Sequence, residues 1–179
     1  MRRSNSVAFW TVVAGVTAVD VTSKWWAESG LVPQRLPHSV AGEWLRLTLV
    51  YNPGAAFGLQ IGSWSRWVFM GLTVIALGIL GRLYLNTRDG DLWRTSSLAL
   101  VCGGALGNLI DRVRSDQGVV DFIDIGVGGS RWPTFNLADV AVSVGAVLLA
   151  WVLWYSEQQQ QDPAAVVANS LTSGSGELS

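Results

Sequence analysis

The fold is decided by residues 98–112, LALVCGGALGNLIDR, where an apolar, glycine-rich run ends in Asn108, Asp111 and Arg112. These polar residues are spaced i, i+3 and i+4, which places them on one face if the segment is helical. Polar groups inside a membrane segment are costly unless they face protein or water. The stretch therefore predicts a helix that is not a plain lipid-facing span, and its polar end is a candidate functional site.

The composition around this stretch is typical of a membrane protein. Of 179 residues, 50% are apolar and 14% are charged, whereas an average soluble domain has about 25% charged residues. Further apolar runs occur at residues 7–21, 67–85 and 137–154, and the last two are long enough to cross a hydrocarbon core of about 30 Å. Most tryptophans lie at or near the ends of the apolar runs, where indoles prefer the headgroup layer. They are Trp10, Trp25, Trp26, Trp64, Trp67, Trp93, Trp132, Trp151 and Trp154.

Several function classes are disfavoured by composition. The formal net charge is -1 and no Lys/Arg cluster occurs, so a nucleic-acid partner is not expected. Cys102 is the only cysteine, which excludes an intrachain disulfide. His38 is the only histidine, which makes Cys/His zinc sites and Ser-His-Asp triads poor hypotheses.

We expect one membrane domain over residues 1–157, with helices at about 7–27, 66–86, 95–113 and 136–156. The first helix resembles a signal peptide but lacks a convincing cleavage site, so we expect it to be retained. Arg2 and Arg3, with the short basic loop between the second and third helices, favour cytoplasmic termini, although more basic residues fall on the outer side. Loops 29–65 and 114–135 would then be extracytoplasmic, and the polar tail 158–179 is predicted to be disordered.

A small sheet is predicted outside the helices. Residues 43–51 alternate between apolar and more polar side chains, which is the period of a strand with one apolar face. Asn52-Pro53-Gly54 then ends the strand. The glycine-rich segment 114–134 is a candidate second contributor, in which Asp124 is expected to face water. We therefore expect a sheet resting on the outer membrane surface.

Polar residues at the ends of three predicted helices are expected to lie at the same depth in the membrane. Asp20 and Lys24 are spaced i, i+4 in the first helix, and Asn136 and Asp139 are spaced i, i+3 at the start of the fourth. Ion pairs that hold the bundle together are one explanation for the charged residues. Asn136 is also explained as a helix N-cap, because the apolar run begins at the next residue.

Asp121 and Asp139 fit a purely structural explanation less well. Each lies in apolar sequence without a basic residue within four positions. Two carboxylates in one site lower the cost of burial by sharing a proton, which supplies an acid and a base together. An aspartic peptidase and a proton- or cation-coupled transporter both use such a site, and a catalytically silent scaffold is a third alternative. A transporter predicts paired half-helices or an internal repeat, neither of which the sequence shows.

From Val19 to Val152 the sequence resembles the lipoprotein signal peptidase (signal peptidase II) family of bacterial intramembrane aspartic peptidases. The resemblance rests on five blocks in the family's order. They are Val19-Asp20 with Lys24; Tyr51-Asn52-Pro53-Gly54-Ala55-Ala56-Phe57-Gly58; Gly103-Gly104-Ala105-Leu106-Gly107-Asn108-Leu109-Ile110-Asp111-Arg112; Val119-Val120-Asp121-Phe122-Ile123; and Phe135-Asn136-Leu137-Ala138-Asp139.

The resemblance implies a fold of four transmembrane helices, an extracytoplasmic β-sheet cradle and a short extracytoplasmic helix. It also implies a catalytic dyad of Asp121 and Asp139. It implies that five further residues line the substrate cleft, namely Asn52, Gly54, Asn108, Arg112 and Asn136. It implies that three others support the polar core, namely Asp20, Lys24 and Asp111.

The activity implied by the resemblance is cleavage of prolipoproteins just before a diacylglyceryl-modified cysteine. Such an enzyme needs neither a metal nor an organic cofactor. Its partners are the lipid-modified precursors and membrane lipid, and we expect it to be a monomer. Its location would be the bacterial cytoplasmic (inner) membrane, with the active site on the extracytoplasmic side.

Overall fold

The computed structural model describes residues 2–54 and 64–161, which form a helical bundle with a small sheet at one end. The helices are α1 (Arg2–Gly30), α2 (Ser65–Leu85), α3 (Leu92–Arg114) and α4 (Leu137–Gln161). The strands are β1 (His38–Ala41), β2 (Leu45–Asn52), β3 (Val119–Val127) and β4 (Ser130–Arg131).

The four predicted helices are present, with ends that differ by a few residues. Helix α3 begins at Leu92 because the Asp91 side chain accepts a hydrogen bond from the Arg94 backbone N–H (3.0 Å), which caps the helix. Helix α4 continues through Gln161, into the segment predicted to be a disordered tail, because glutamine is a good helix former. The rest of that tail, 162–179, lies outside the described residues.

Helices α1, α2 and α4 are long and apolar enough to cross a membrane over Asn5–Gly30, Ser65–Leu85 and Leu137–Gln158. Among the helices that the structure describes, α3 does not meet this criterion. It packs against the other three helices instead, so its polar end faces protein, as the sequence predicted.

Glycines on α3 allow its neighbours to approach closely. A Cβ atom at Gly103 would lie 2.8 Å from Val16 Cβ on α1. A Cβ atom at Gly104 would lie 2.8 Å from Val142 Cγ2 and would overlap the Ala138 carbonyl oxygen on α4. Small residues at helix contacts are typical of membrane bundles, where close backbone approach supplies much of the packing energy.

We expect Gly104→Ala to destabilise the bundle by about 1–3 kcal/mol, the usual cost of overpacking. The added methyl group meets backbone rather than a flexible side chain, so α4 must move. Thermal unfolding in detergent measures the effect. Gly78→Ala on α2 is the matched control, because nothing lies within 4 Å of its added Cβ. Equal unfolding temperatures for the two variants would contradict the close α3–α4 contact.

The sheet is antiparallel with strand order β1-β2-β3-β4. The sheet confirms the predicted strand, which is β2 and spans Leu45–Asn52. It also confirms that segment 114–134 contributes to the sheet, through β3 and β4. Leu49 and Val120 pack against Ala27 and Leu31 from α1 and the turn after it. This contact seats the sheet on the C-terminal end of α1, with Val50 opposite Asp121.

The sequence-based expectation for Asp124 is wrong. Asp124 does not face water; it lies in β3, is 7% exposed, and binds Arg131 and Thr48. The burial is tolerated because Arg131 Nε and the Thr48 hydroxyl both donate to its carboxylate.

The implied short extracytoplasmic helix is not found in the part of the chain that the structure describes, 2–54 and 64–161. Residues 55–63, which include Ala55 to Gly58 of the quoted motif, lie outside it.

Candidate active site

Helix α4 begins with a reciprocal capping arrangement. The side-chain oxygen of Asn136 accepts a hydrogen bond from the Asp139 backbone N–H at 2.9 Å. In return, Asp139 Oδ2 accepts from the Asn136 backbone N–H at 3.3 Å. This is the geometry of a capping box, with Asp in place of the usual Glu or Gln. The expected N-cap role of Asn136 is thus present, and it also fixes the Asp139 carboxylate.

Asn136 also contacts the second aspartate of the predicted dyad. Its Nδ2 donates to Asp121 Oδ1 at 2.7 Å, and Asn52 Nδ2 donates to Asp121 Oδ2 at 3.1 Å. Because one asparagine holds both carboxylates, Asp121 and Asp139 share one pocket. Asp121 is 3% exposed, whereas Asp139 is half-buried. Burial, followed by the neighbouring charge of Asp139, raises the pKa of Asp121 to about 7.

A buried ion cluster lies beside the dyad. Lys24 Nζ is 2.8 Å from Asp20 Oδ2 and 2.9 Å from Asp111 Oδ2. Asp20 Oδ1 also accepts from the Ala138 backbone N–H of α4, and Asp111 Oδ2 from the Val120 backbone N–H of β3. The cluster therefore ties α1, α3, α4 and β3 together at the level of the dyad.

Asn108 connects the ion cluster to the dyad. Its Oδ1 accepts from Lys24 Nζ at 2.9 Å and from Asn136 Nδ2 at 3.2 Å. Its Nδ2 therefore points the other way and donates to Asp139 Oδ1 at 2.8 Å. Lys24 carries only donors, so its contact sets the orientation of the Asn108 amide.

Arg112 and Gly54 lie at the edge of the pocket, around Phe69. The Arg112 guanidinium lies 5.7 Å from the centre of the Phe69 ring, and its Nη1 donates to the backbone carbonyl oxygen of Asn108. Gly54 has φ 113°, and a Cβ there would lie 2.5 Å from Phe69 Cδ2. Both the backbone conformation and the space require glycine. The structure thus brings all the sequence-predicted site residues into one region.

A second set of contacts, outside the ion cluster, was not predicted from the sequence. Glu28 accepts from the Tyr51 hydroxyl at 3.1 Å and from Arg114 Nη2 at 2.8 Å. Arg114 also lies 3.3 Å from Asp111 Oδ1. A signal was present, because Glu28 is i+4 from Lys24 and Arg114 is i+3 from Asp111, which continues both polar helix faces. No such spacing in the sequence indicated Phe69 as a residue of this region.

Membrane helices that carry, at one end, a pocket shared by two aspartates are the arrangement of an intramembrane aspartic peptidase. The family model described as Signal peptidase (SPase) II matches residues 12–155. The chain belongs to this family of multi-pass membrane peptidases, as the resemblance indicated. Membership in a peptidase family decides against the transporter and the silent scaffold.

Individual relatives agree with this assignment. The chain is 46% identical over 140 residues to a lipoprotein signal peptidase of Moorella thermoacetica, covering 77% of this chain and 87% of the relative. It is 51% identical over 108 residues to a lipoprotein signal peptidase of Burkholderia mallei, covering 59% and 63%. Two solved structures described as bacterial membrane enzymes also match. The first has a TM-score of 0.74 and 28% identity, over 86% of this chain and 92% of its own. The second has a TM-score of 0.69 and 30% identity, over 81% of this chain and 91% of its own.

Proposed function

We propose that the chain removes signal peptides from diacylglyceryl-cysteine-modified prolipoproteins by cutting just before the modified cysteine, with Asp121 and Asp139 as its catalytic pair. The observation that carries this proposal is the shared contact of both carboxylates with Asn136. The name of the relatives, lipoprotein signal peptidase, supports the substrate class.

The pair supplies the acid and base that peptide hydrolysis needs. One carboxylate takes a proton from water, whose oxygen attacks the scissile carbonyl carbon, while the protonated partner polarises the carbonyl oxygen. The two carboxyl groups exchange roles as the C–N bond breaks and the leaving amine gains a proton. Asn52, Gly54, Asn108, Arg112 and Asn136 surround the dyad as substrate-cleft residues, and Asp20, Lys24 and Asp111 hold the cleft in place.

Exposed tryptophans support a dyad near one membrane surface. Those on or beside the helices fall into two groups at opposite ends of the bundle, as expected for two headgroup layers. Trp25, Trp26, Trp64 and Trp67 lie at the end that carries the sheet and the dyad, and Trp10, Trp93, Trp151 and Trp154 lie at the other. A substrate with two acyl chains stays in the bilayer, so this depth brings the dyad to the scissile bond while water reaches it from outside.

The orientation of the chain in the membrane is part of the same proposal. Arg2 and Arg3, and the turn between α2 and α3, lie at the end away from the dyad. The positive-inside rule then favours cytoplasmic termini and an extracytoplasmic sheet. The membrane would be the bacterial cytoplasmic membrane, and the enzyme would act as a monomer on its lipid-modified precursors.

Purified protein in detergent tests the substrate class. We expect a diacylglyceryl-modified precursor to be cleaved at least about tenfold faster (kcat/KM) than the same precursor with an unmodified cysteine, because binding of remote groups contributes to catalysis. Cys102→Ala is the control and retains activity, since Cys102 lies in the apolar core between α1 and α3. Equal rates for the two precursors would refute the substrate proposal. Loss of turnover in Cys102→Ala would refute the aspartic mechanism.

A further inference from the structure

The two aspartates of the dyad lie in different electrostatic environments. Asp139 occupies the first turn of α4, where unpaired backbone N–H groups and the helix dipole stabilise negative charge. One of these N–H groups, that of Asn136, donates directly to Asp139 Oδ2. Asp121 lies on β3, and strands supply no comparable dipole.

A second contact favours charge on Asp139. Asn108 Nδ2 donates to Asp139 Oδ1 at 2.8 Å, while Asn108 Oδ1 receives a hydrogen bond from Lys24. The ammonium group polarises the amide, so the donor that meets Asp139 is strengthened. Lys24 thus acts on the dyad through Asn108, as a positioning residue.

In the described part of the chain, the hydrogen-bond donors to the Asp121 carboxylate are uncharged. Its oxygens accept from two neutral amides, Asn136 Nδ2 and Asn52 Nδ2. The charged groups that face it are Asp139 from α4, Lys24 from α1 and Arg112 from α3. Lys24, which is bound by Asp20 and Asp111, acts on Asp121 only through space, and it lowers the pKa of Asp121 by less than burial and Asp139 raise it. The pKa of Asp121, raised to about 7 mainly by burial, agrees with this environment.

We propose that the proton of the resting dyad resides on Asp121 and that Asp139 is the carboxylate that activates water. This assignment rests on the proposed function. In the first step, Asp139 takes a proton from water, the water oxygen bonds to the carbonyl carbon, and the Asp121 proton passes to the carbonyl oxygen. In the second step, the C–N bond breaks, Asp139 returns its proton to the leaving amine, and Asp121 recovers a proton from a hydroxyl group of the intermediate.

Infrared spectroscopy of the substrate-free protein in detergent tests the assignment without relying on turnover. We expect a carbonyl band from a protonated carboxylic acid that disappears with a midpoint near pH 7. Asp121→Asn should remove this band. Asp139→Asn should keep it and move the midpoint to lower pH, because the neighbouring negative charge that raises the pKa of Asp121 is gone.

A third variant keeps the test informative if a dyad variant does not fold. Asn52→Ala removes a hydrogen bond that lowers the pKa of Asp121, so the midpoint should move to higher pH. An unchanged midpoint in Asn52→Ala would overturn the assignment. So would a band that survives in Asp121→Asn and vanishes in Asp139→Asn, or the lack of a band in the unmodified protein. An inactive protein that shows the expected bands would refute the proposed function and leave the proton assignment standing.

Discussion

Asp121→Asn and Asp139→Asn are each expected to lower kcat for a lipid-modified precursor by about 10²- to 10⁴-fold, the usual contribution of a positioned acid or base. The replacements are close in size and shape to aspartate, and an asparagine side chain in place of Asp139 still offers an oxygen to the Asn136 N–H. The fold should therefore be retained, at the cost of one accepted hydrogen bond in each variant, because an amide has one acceptor oxygen where the carboxylate has two. Cleavage of the precursor measures activity, and thermal unfolding in detergent checks folding.

Asp124→Asn is the matched control for this experiment. Asp124 is a buried carboxylate on the same strand as Asp121, but its partners are Arg131 and Thr48 rather than the dyad. We expect this variant to keep most of its activity although it loses stability. The dyad would be wrong if either dyad variant kept more than about a tenth of the activity, or if Asp124→Asn lost as much as they do.

Helical spacing made most of the site predictable from the sequence. Asn108, Asp111 and Arg112 follow one helix face, and their neighbours Lys24 and Asp20 follow another. Apolar runs locate those helices, and a polar stripe inside such a run must meet protein. The spacing does not indicate which polar helix faces contact each other. The contacts of Lys24 with both Asp111 and Asn108 therefore required the three-dimensional structure.

Contacts between strands were harder to predict. Asp124 is buried because Arg131 reaches it from the strand after a tight turn, a pairing that no helical spacing reveals. Asn136 shows a different limit. Sequence left open whether it caps α4 or orients Asp139, and the structure has it do both, because its side-chain oxygen accepts from the Asp139 N–H while its own backbone N–H donates to Asp139 Oδ2.

Lys24→Met is expected to lower the free energy of unfolding by about 3–5 kcal/mol, the usual cost of breaking a buried ion pair by removing one partner. Lys24 is fully buried between Asp20 and Asp111, which are themselves buried. Without the ammonium group, the two carboxylates lose their counter-charge where water does not reach them. Denaturant unfolding in detergent measures the loss. Arg114→Gln, which removes contacts of a 42% exposed side chain, should cost less than about 1 kcal/mol.

The triple variant Lys24→Met, Asp20→Asn, Asp111→Asn separates uncompensated charge from lost packing. If the cost comes from unpaired carboxylates, neutralising both should recover a large part of the stability, since buried ion clusters are often replaceable by neutral groups of similar volume. Catalysis should not recover with it, because a methionine side chain donates no hydrogen bond to Asn108 Oδ1, which then keeps only the 3.2 Å contact from Asn136 Nδ2 to orient the amide toward Asp139. A Lys24→Met variant that stays within about 1 kcal/mol of the unmodified protein would contradict the role of this cluster in stability. A triple variant that regained full turnover would contradict the role of Lys24 in orienting Asn108.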